Sequence, residues 1–201
     1  MNKQINIIIF SSPIPKENEI QDVITILATN IVAFHLRKPN ASKEEIRLFL
    51  QQIPIEFHIK IVLHQHIELL KEFSLKGFYC SRLFLENNSP KQIRKKYPKA
   101  LLSRGCHTYH ELTNSLLYDY VFISPVFDSI SKKGYKANFD FTKLASIIST
   151  SETKVYALGG IEPSSIAKIK TIPFSGYALL GYIWYNNTLS LQYKLKQLGL
   201  C

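Results

Sequence analysis

A glycine pair late in the chain is the clearest sign of chemistry. Gly159 and Gly160 follow the apolar run 155–158 and precede Ile161-Glu162-Pro163, so a buried strand is expected to lead through the glycines into a helix. Glycine lets backbone N–H groups approach an anion closely, and a helix N-terminus adds free N–H groups and the positive end of its dipole. The spacing therefore predicts a phosphate-binding loop.

Cations, hydroxyls and imidazoles follow most of the other apolar runs. The candidates, in chain order, are His35, Arg37, Lys38, His64, Gln65, His66, Cys80, Ser81, Arg82, Arg104, Cys106, His107, Thr108, Ser124, Ser129, Ser131, Lys132, Lys133 and Gly181. Carboxylates are few, mainly Asp128 and Glu162. This mixture favours a phosphorylated substrate and proton transfer by histidine over chemistry that needs paired carboxylates.

His107 is the candidate acid or base, because the reference pKa of histidine, about 6.5, suits proton transfer near neutral pH. A surface or capping histidine is the alternative. His64 and His66 are two residues apart and would share one face of a strand, but no carboxylate lies near them in sequence, so we expect no metal site. Cys106 is expected to be a small buried thiol rather than a nucleophile.

Short apolar runs alternate with amphipathic stretches along the whole chain. The predicted strands are 5–10, 31–36, 59–63, 77–79, 100–103, 120–124, 154–158 and 175–180. The predicted helices are 19–29, 42–52, 66–74, 89–96, 108–116, 140–149, 163–169 and 188–199. Ser42 with Glu45, Ser89-Pro90 and Glu162-Pro163 are helix start signals.

Eight strand–helix units predict an α/β fold, a single (β/α)₈ TIM barrel over residues 1–201. The strands are nearly continuous apolar runs, as expected for a parallel sheet covered on both faces. A doubly wound open sheet is the alternative, but the first run ends in Ser11-Ser12-Pro13 rather than in a glycine-rich dinucleotide fingerprint. In a barrel, the candidates above would meet at the carboxyl ends of the strands.

Composition restricts the function classes. The chain has 201 residues, 46% of them hydrophobic, and a formal net charge of +10. The basic residues lie mostly in polar helix stretches, which favours solvated helix faces over a nucleic-acid surface. The first apolar run is too short to cross a membrane, and three irregularly spaced cysteines favour a reducing cytoplasm. We expect no nucleic-acid or membrane partner and leave a homodimer open.

Four segments, in order, resemble motifs of the thiamin phosphate synthase and TenI family. Residues 121–132 contain a segment that resembles its Gly-Pro-Val-Phe-x-Thr-x-Thr-Lys motif, with serine at both threonine positions. His35-Leu36-Arg37 resembles Gln/His-x-Arg-Glu-Lys, residues 106–108 resemble Ser-x-His-Ser/Thr, and residues 159–163 resemble the Gly-Gly-Ile-x-Pro phosphate loop. The resemblance implies a (β/α)₈ barrel that acts in thiamin biosynthesis.

The family contains two activities, and departures from its motifs separate them. The synthase joins hydroxymethylpyrimidine diphosphate to a thiazole phosphate with magnesium, which aspartates after strands 3 and 4 help to hold. This chain has His64-Gln65-His66 and Cys80-Ser81-Arg82 there, and Lys38-Pro39 where the family has Glu-Lys. Magnesium prefers oxygen ligands, so the resemblance points to the other branch, the metal-free thiazole tautomerase. Magnesium would be needed only by a synthase.

The resemblance also implies residue roles. His107 would be the catalytic acid and base on a phosphorylated, carboxylated thiazole. Phosphate or carboxylate contacts would come from Arg37, Ser129, Ser131, Lys132, Gly159, Gly160 and Gly181. His35, Lys38, His64 and Arg82 are accessory candidates. A thiamin phosphate synthase and a non-catalytic binder of thiamin-pathway phosphates are the alternatives.

Overall fold

The apolar runs form eight parallel strands in the computed structural model, which describes residues 5–128 and 139–200. The strands are β1 Ile7–Phe10, β2 Ala33–Leu36, β3 Ile61–Leu63, β4 Gly77–Tyr79, β5 Leu101–Cys106, β6 Tyr120–Ile123, β7 Lys154–Leu158 and β8 Gly176–Leu179. Each pairs with the next, and β8 pairs in parallel with β1, which closes the barrel. The predicted TIM barrel is confirmed, and the open-sheet alternative is wrong.

Helices surround the barrel. The α-helices are α1 Glu19–Leu27, α2 Lys43–Gln51, α3 Arg82–Leu85, α4 Pro90–Lys96, α5 Tyr109–Thr113, α6 Phe141–Ser149, α7 Pro163–Ile169, α8 Gly181–Trp184 and α9 Leu191–Gln197, and Ile55–Lys60 and Ile67–Lys71 are 3₁₀-helices. The helix predicted over 66–74 is thus a shorter 3₁₀ segment. The unpredicted segments, 55–60, α3 and α8, are too short to show a helical hydrophobic period. Within the described ranges, no helix is long and apolar enough to span a membrane.

The predicted helix start signals are satisfied by side chains. Before α2, the Ser42 hydroxyl accepts the Glu45 N–H at 3.2 Å, and the Glu45 carboxylate accepts the Ser42 N–H at 2.7 Å. Before α7, the Glu162 N–H donates to the Ser165 hydroxyl at 2.8 Å. These contacts satisfy N–H groups that a helix start leaves without partners, and so they fix where the chain turns from strand into helix.

Alternate residues of each strand face inward and outward. The inward set includes Ile8, Phe10, Ala33, Val62, Tyr120, Phe122, Tyr156 and Ala178, which pack together inside the barrel. The outward set, such as Ile7, Phe34 and Val121, packs against the helices. Because both sets are largely apolar, the alternation of inward and outward side chains produces no alternation of apolar and polar residues in the sequence.

Candidate active site

A pocket of about 290 Å³ opens at the carboxyl ends of the strands. Its lining includes seven of the predicted site residues: Arg37, His64, His107, Ser124, Gly159, Gly160 and Gly181. Arg37 and His64 continue the alternation of β2 and β3 toward the barrel interior. Residue 37 follows residues 33 and 35 on that side of β2, and residue 64 follows residue 62 on that side of β3. Strand geometry therefore brings together groups that lie far apart in sequence.

The glycine pair forms one wall of the pocket. Gly159 and Gly160 have φ values of 95° and 63°, in the left-handed region that favours glycine. A Cβ on Gly160 would lie 2.6 Å from the Asp128 carbonyl oxygen. The Phe127 N–H donates to the Gly159 carbonyl at 3.1 Å, so the segment after β6 is pinned against this loop. The loop therefore keeps its backbone close to the pocket, as a phosphate cradle requires.

His107 also lines the pocket, and one of its ring nitrogens is engaged in a hydrogen bond. Its Nδ1 is 2.8 Å from the Ser124 carbonyl oxygen, which can only accept, so Nδ1 carries the proton in the neutral ring. Nε2 then holds a lone pair. It lies 3.7 Å from the position that a Cβ on Gly105 would take, and Gly105 lines the pocket. His107 thus has the geometry of a general base.

A second histidine lies deeper, in a chain of hydrogen bonds. His64 Nε2 is 3.0 Å from His35 Nδ1, and His35 Nε2 is 2.8 Å from the Tyr120 hydroxyl. Burial lowers the pKa of His35 to about 3 and holds the pKa of His64 well below its usual value, so both rings are neutral near pH 7. The Tyr79 ring stacks on His64 at 4.2 Å between centroids.

Three accessory candidates lie outside the described pocket lining. His35 does not reach the pocket lining, because it is fully buried beneath His64 inside the barrel. Lys38 points away from the barrel interior and forms a buried ion pair with Glu19, with Nζ 2.5 Å from Oε1. Arg82 begins α3, is exposed and is absent from the described pocket lining.

Ser129, Ser131 and Lys132 lie outside the described residues. Two other candidates, His66 and Cys106, lie outside the pocket lining. His66 Nε2 is 3.0 Å from the Ala41 carbonyl oxygen, where it joins two loops. Cys106 is buried on the outward face, and burial raises the pKa of its thiol to about 12, so a thiolate nucleophile is disfavoured.

The described residues do not fit magnesium. The pocket lining, as far as the structure describes it, contains no carboxylate. Across residues 5–128 and 139–200, no group of three or more histidines, cysteines and acidic residues could hold a metal ion. Arg37 and two histidines line the pocket instead, and these are poor partners for a hard cation that prefers oxygen.

Sequence reasoning missed four aromatic residues of the site. Phe10, Tyr79 and Tyr182 line the pocket, and Tyr120 anchors the histidine chain from below. The alternation of side chains along a strand could have found two of them. Tyr79 is two residues after Gly77, and Tyr120 is two residues before Phe122, so each pair lies on the same face of its strand. The alternation of inward and outward residues predicts a position only when one inward residue of that strand is already known.

The chain is similar to known proteins over most of its length. Residues 6–183 match the family model described as thiamine monophosphate synthase. A thiamine-phosphate synthase from Oceanobacillus iheyensis is 22% identical over 165 residues, which cover 78% of this chain and 79% of that protein.

Solved structures are similar over nearly the whole chain. The thiamine phosphate pyrophosphorylase from Bacteroides thetaiotaomicron has 25% identity and a TM-score of 0.74, over 96% of this chain and 95% of that one. The pyrophosphorylase from Pyrococcus furiosus has 15% identity and a TM-score of 0.78, over 98% and 94% of the two chains. With the family model matching most of its length, the chain belongs to the thiamine monophosphate synthase family of thiamin-biosynthesis enzymes.

Proposed function

We propose that the protein is a thiazole tautomerase of this family, which aromatises a thiazole phosphate carboxylate by moving a proton. The observation that carries the proposal is His107: its Nδ1 is held by the Ser124 carbonyl, and its Nε2 is left as a base in a pocket without a described carboxylate. A proton shift needs a base and an anchored substrate, but it needs neither a metal nor a second substrate.

The proton balance is simple. His107 Nε2 takes the proton from ring carbon C2, the C–H electron pair enters the ring system, and the imidazolium returns a proton to the exocyclic carbon. The histidine ends neutral, and the product has gained aromaticity. The Gly159-Gly160 loop, with the N–H of Gly181, would hold the phosphate. Arg37, together with Ser129, Ser131 and Lys132, would bind the carboxylate or the phosphate.

Replacement of His107 tests the role directly. In His107→Ala, aromatisation of the substrate should slow by about 10²–10⁴-fold, the usual worth of a general acid or base. Affinity for the aromatic product should change little. The control is His110→Ala, an exposed histidine on α5 outside the described pocket lining, which should keep full activity. Unchanged turnover in His107→Ala, or loss of product binding with normal turnover of bound substrate, would contradict the assignment.

Thiamin phosphate synthase is the second candidate, since similar proteins from other organisms carry that name. It predicts thiamin phosphate formation from hydroxymethylpyrimidine diphosphate and thiazole phosphate that depends on magnesium. The described lining opposes it, because it offers no carboxylate for the metal and encloses only about 290 Å³, at the low end for small-molecule sites. A parallel assay with both substrates and magnesium separates the two activities. Phosphate binding without either turnover would instead indicate a non-catalytic binder.

A cytoplasmic location, a homodimer and the lack of a nucleic-acid or membrane partner remain predictions that accompany this proposal. A small phosphorylated thiazole is the partner that the pocket is proposed to bind.

A further inference from the structure

The chain Tyr120–His35–His64 crosses the interior of the barrel and ends at the pocket. Tyr120 and His35 are 5% and 0% exposed, whereas His64 lines the pocket. Phe10 and Phe122 pack on the His35 ring, with centroids 4.7 Å and 5.1 Å away, so the imidazole is held in place. The three polar groups therefore form a fixed line from the core to the site.

Two orders of protons along this line are compatible with the distances. A neutral imidazole has one N–H and one lone pair, so each of the two rings must donate on one side and accept on the other. A phenol is a stronger acid than a neutral imidazole, which favours the order in which Tyr120 donates to His35 Nε2. His35 must then donate from Nδ1 to His64 Nε2. The remaining nitrogen of His64, Nδ1, therefore carries its proton.

His64 shares the pocket lining with a cation. Arg37 lines the same pocket, and its charge helps to lower the pKa of His64, so the two groups are close. Arg37 forms no ion pair with any carboxylate among the described residues. A cation and a neutral donor are thus adjacent at one part of the pocket, whereas His107 offers a lone pair at another.

We propose that His64, fixed as the Nδ1–H tautomer by Tyr120 and His35, donates a hydrogen bond to the substrate carboxylate and, with Arg37, selects carboxylated over uncarboxylated thiazole phosphates. The inference rests on the proposed tautomerase function. It makes His64 a substrate-binding residue and makes His35 and Tyr120 positioning residues. The glycine loop remains free to hold the phosphate.

Calorimetric binding of two stable aromatic ligands, thiazole phosphate with and without the carboxylate, tests the selection without requiring turnover. The native protein should prefer the carboxylated ligand. His64→Leu should weaken that ligand by about 10- to 150-fold, the worth of a hydrogen bond to a charged group, and leave the uncarboxylated ligand unaffected. His64→Gln, which restores a neutral N–H donor, should recover part of the preference.

Tyr120→Phe tests the positioning role. It removes only the hydroxyl and should reduce the preference for the carboxylated ligand. Tyr156→Phe is the matched control, because Tyr156 is a buried tyrosine of the same barrel interior outside the histidine chain. Nitrogen-15 NMR of the imidazole rings reports which nitrogen of His64 carries the proton, a property that loss of packing alone would not change in a folded protein.

The outcomes separate the two proposals. Equal affinity for both ligands in the native protein, or a His64 ring protonated at Nε2 in the free protein, overturns the inference while aromatisation can still proceed. Failure to bind either thiazole phosphate overturns the proposed function and the carboxylate role together. A preference that disappears in His64→Leu, recovers in His64→Gln and falls in Tyr120→Phe but not in Tyr156→Phe supports the inference.

Discussion

Neighbouring residues with the same charge take opposite roles at the end of β2. Arg37 faces the pocket, whereas Lys38 points outward, where its ammonium group lies 2.5 Å and 2.7 Å from the two Glu19 carboxylate oxygens. The reason is the period of two in a strand, which turns successive side chains to opposite faces. Arg37, which lies in the site, and Lys38, which forms an ion pair that stabilises the fold, are therefore adjacent in sequence.

Lys38→Met should destabilise the protein by about 3–5 kcal/mol, because it leaves the Glu19 carboxylate buried and unpaired. Chemical denaturation measures the effect. Lys43→Met is the matched control, since the exposed Lys43–Glu68 pair, at 4.0 Å, is worth only about 0–1 kcal/mol. Equal losses in the two variants would show that the buried pair has no special weight.

Gly160→Ala should distort the phosphate loop, because the new Cβ would meet the Asp128 carbonyl oxygen at 2.6 Å while φ is 63°. Affinity for inorganic phosphate or thiazole phosphate should fall. Gly199→Ala separates the two causes, since Gly199 also has a positive φ, 71°, but nothing lies within 4 Å of its Cβ position. Gly199→Ala should keep normal ligand affinity, and a similar loss there would refute the steric explanation.

At the scale of elements, the turn from β5 into α5 orients the proposed base. Thr108 caps α5 by accepting the Glu111 N–H at 3.1 Å, and the Glu111 carboxylate accepts the His107 N–H at 2.6 Å. Arg104 also approaches Glu111, at 3.3 Å. The first turn of the helix thus holds the backbone from which the His107 ring reaches the Ser124 carbonyl.

Glu111→Ala should lower kcat by up to about 10²-fold with little change in KM, because misplacement of a catalytic group costs rate more than binding. Steady-state kinetics of aromatisation measures it. Glu111→Gln keeps an oxygen that can accept the His107 N–H and should retain most of the rate. If both variants behave like the native enzyme, the turn does not position His107.

At the scale of the whole molecule, the buried histidines link folding to pH. Burial lowers the pKa of His35 from 6.5 to about 3 and lowers that of His64 in the same direction. The unfolded chain therefore binds more protons than the native protein below pH 6.5. Their contribution to stability is complete above that pH and is lost as the pH falls toward 3.

The free energy of unfolding should thus decrease by about 2 kcal/mol between pH 7 and about pH 5 on account of His35 alone. Denaturation curves at a series of pH values measure this slope. His35→Gln, which keeps a polar group able to donate and accept, should give a shallower slope. The exposed His110→Gln should leave the slope unchanged, and identical slopes for His35→Gln and the native protein would contradict the assignment.

The sequence alone determined the sequence of elements and the chemistry available at their ends. Eight apolar runs of strand length, with helix start signals between them, leave two architectures, a barrel and an open doubly wound sheet. The pairing of β8 with β1 selects the barrel. The glycine pair and His107 were found in the same way, because local backbone rules place them directly after strands. These features depend on residues close in sequence.

Only the tertiary structure decided which face of each strand looks into the barrel. That choice separates Arg37 from Lys38, buries His35 under His64 and brings Tyr79 and Tyr120 into the site. It depends on pairing between strands tens of residues apart and on apolar residues that suit both faces equally. The donors and acceptors of the pocket therefore acquire partners, protonation states and directions only when the barrel closes.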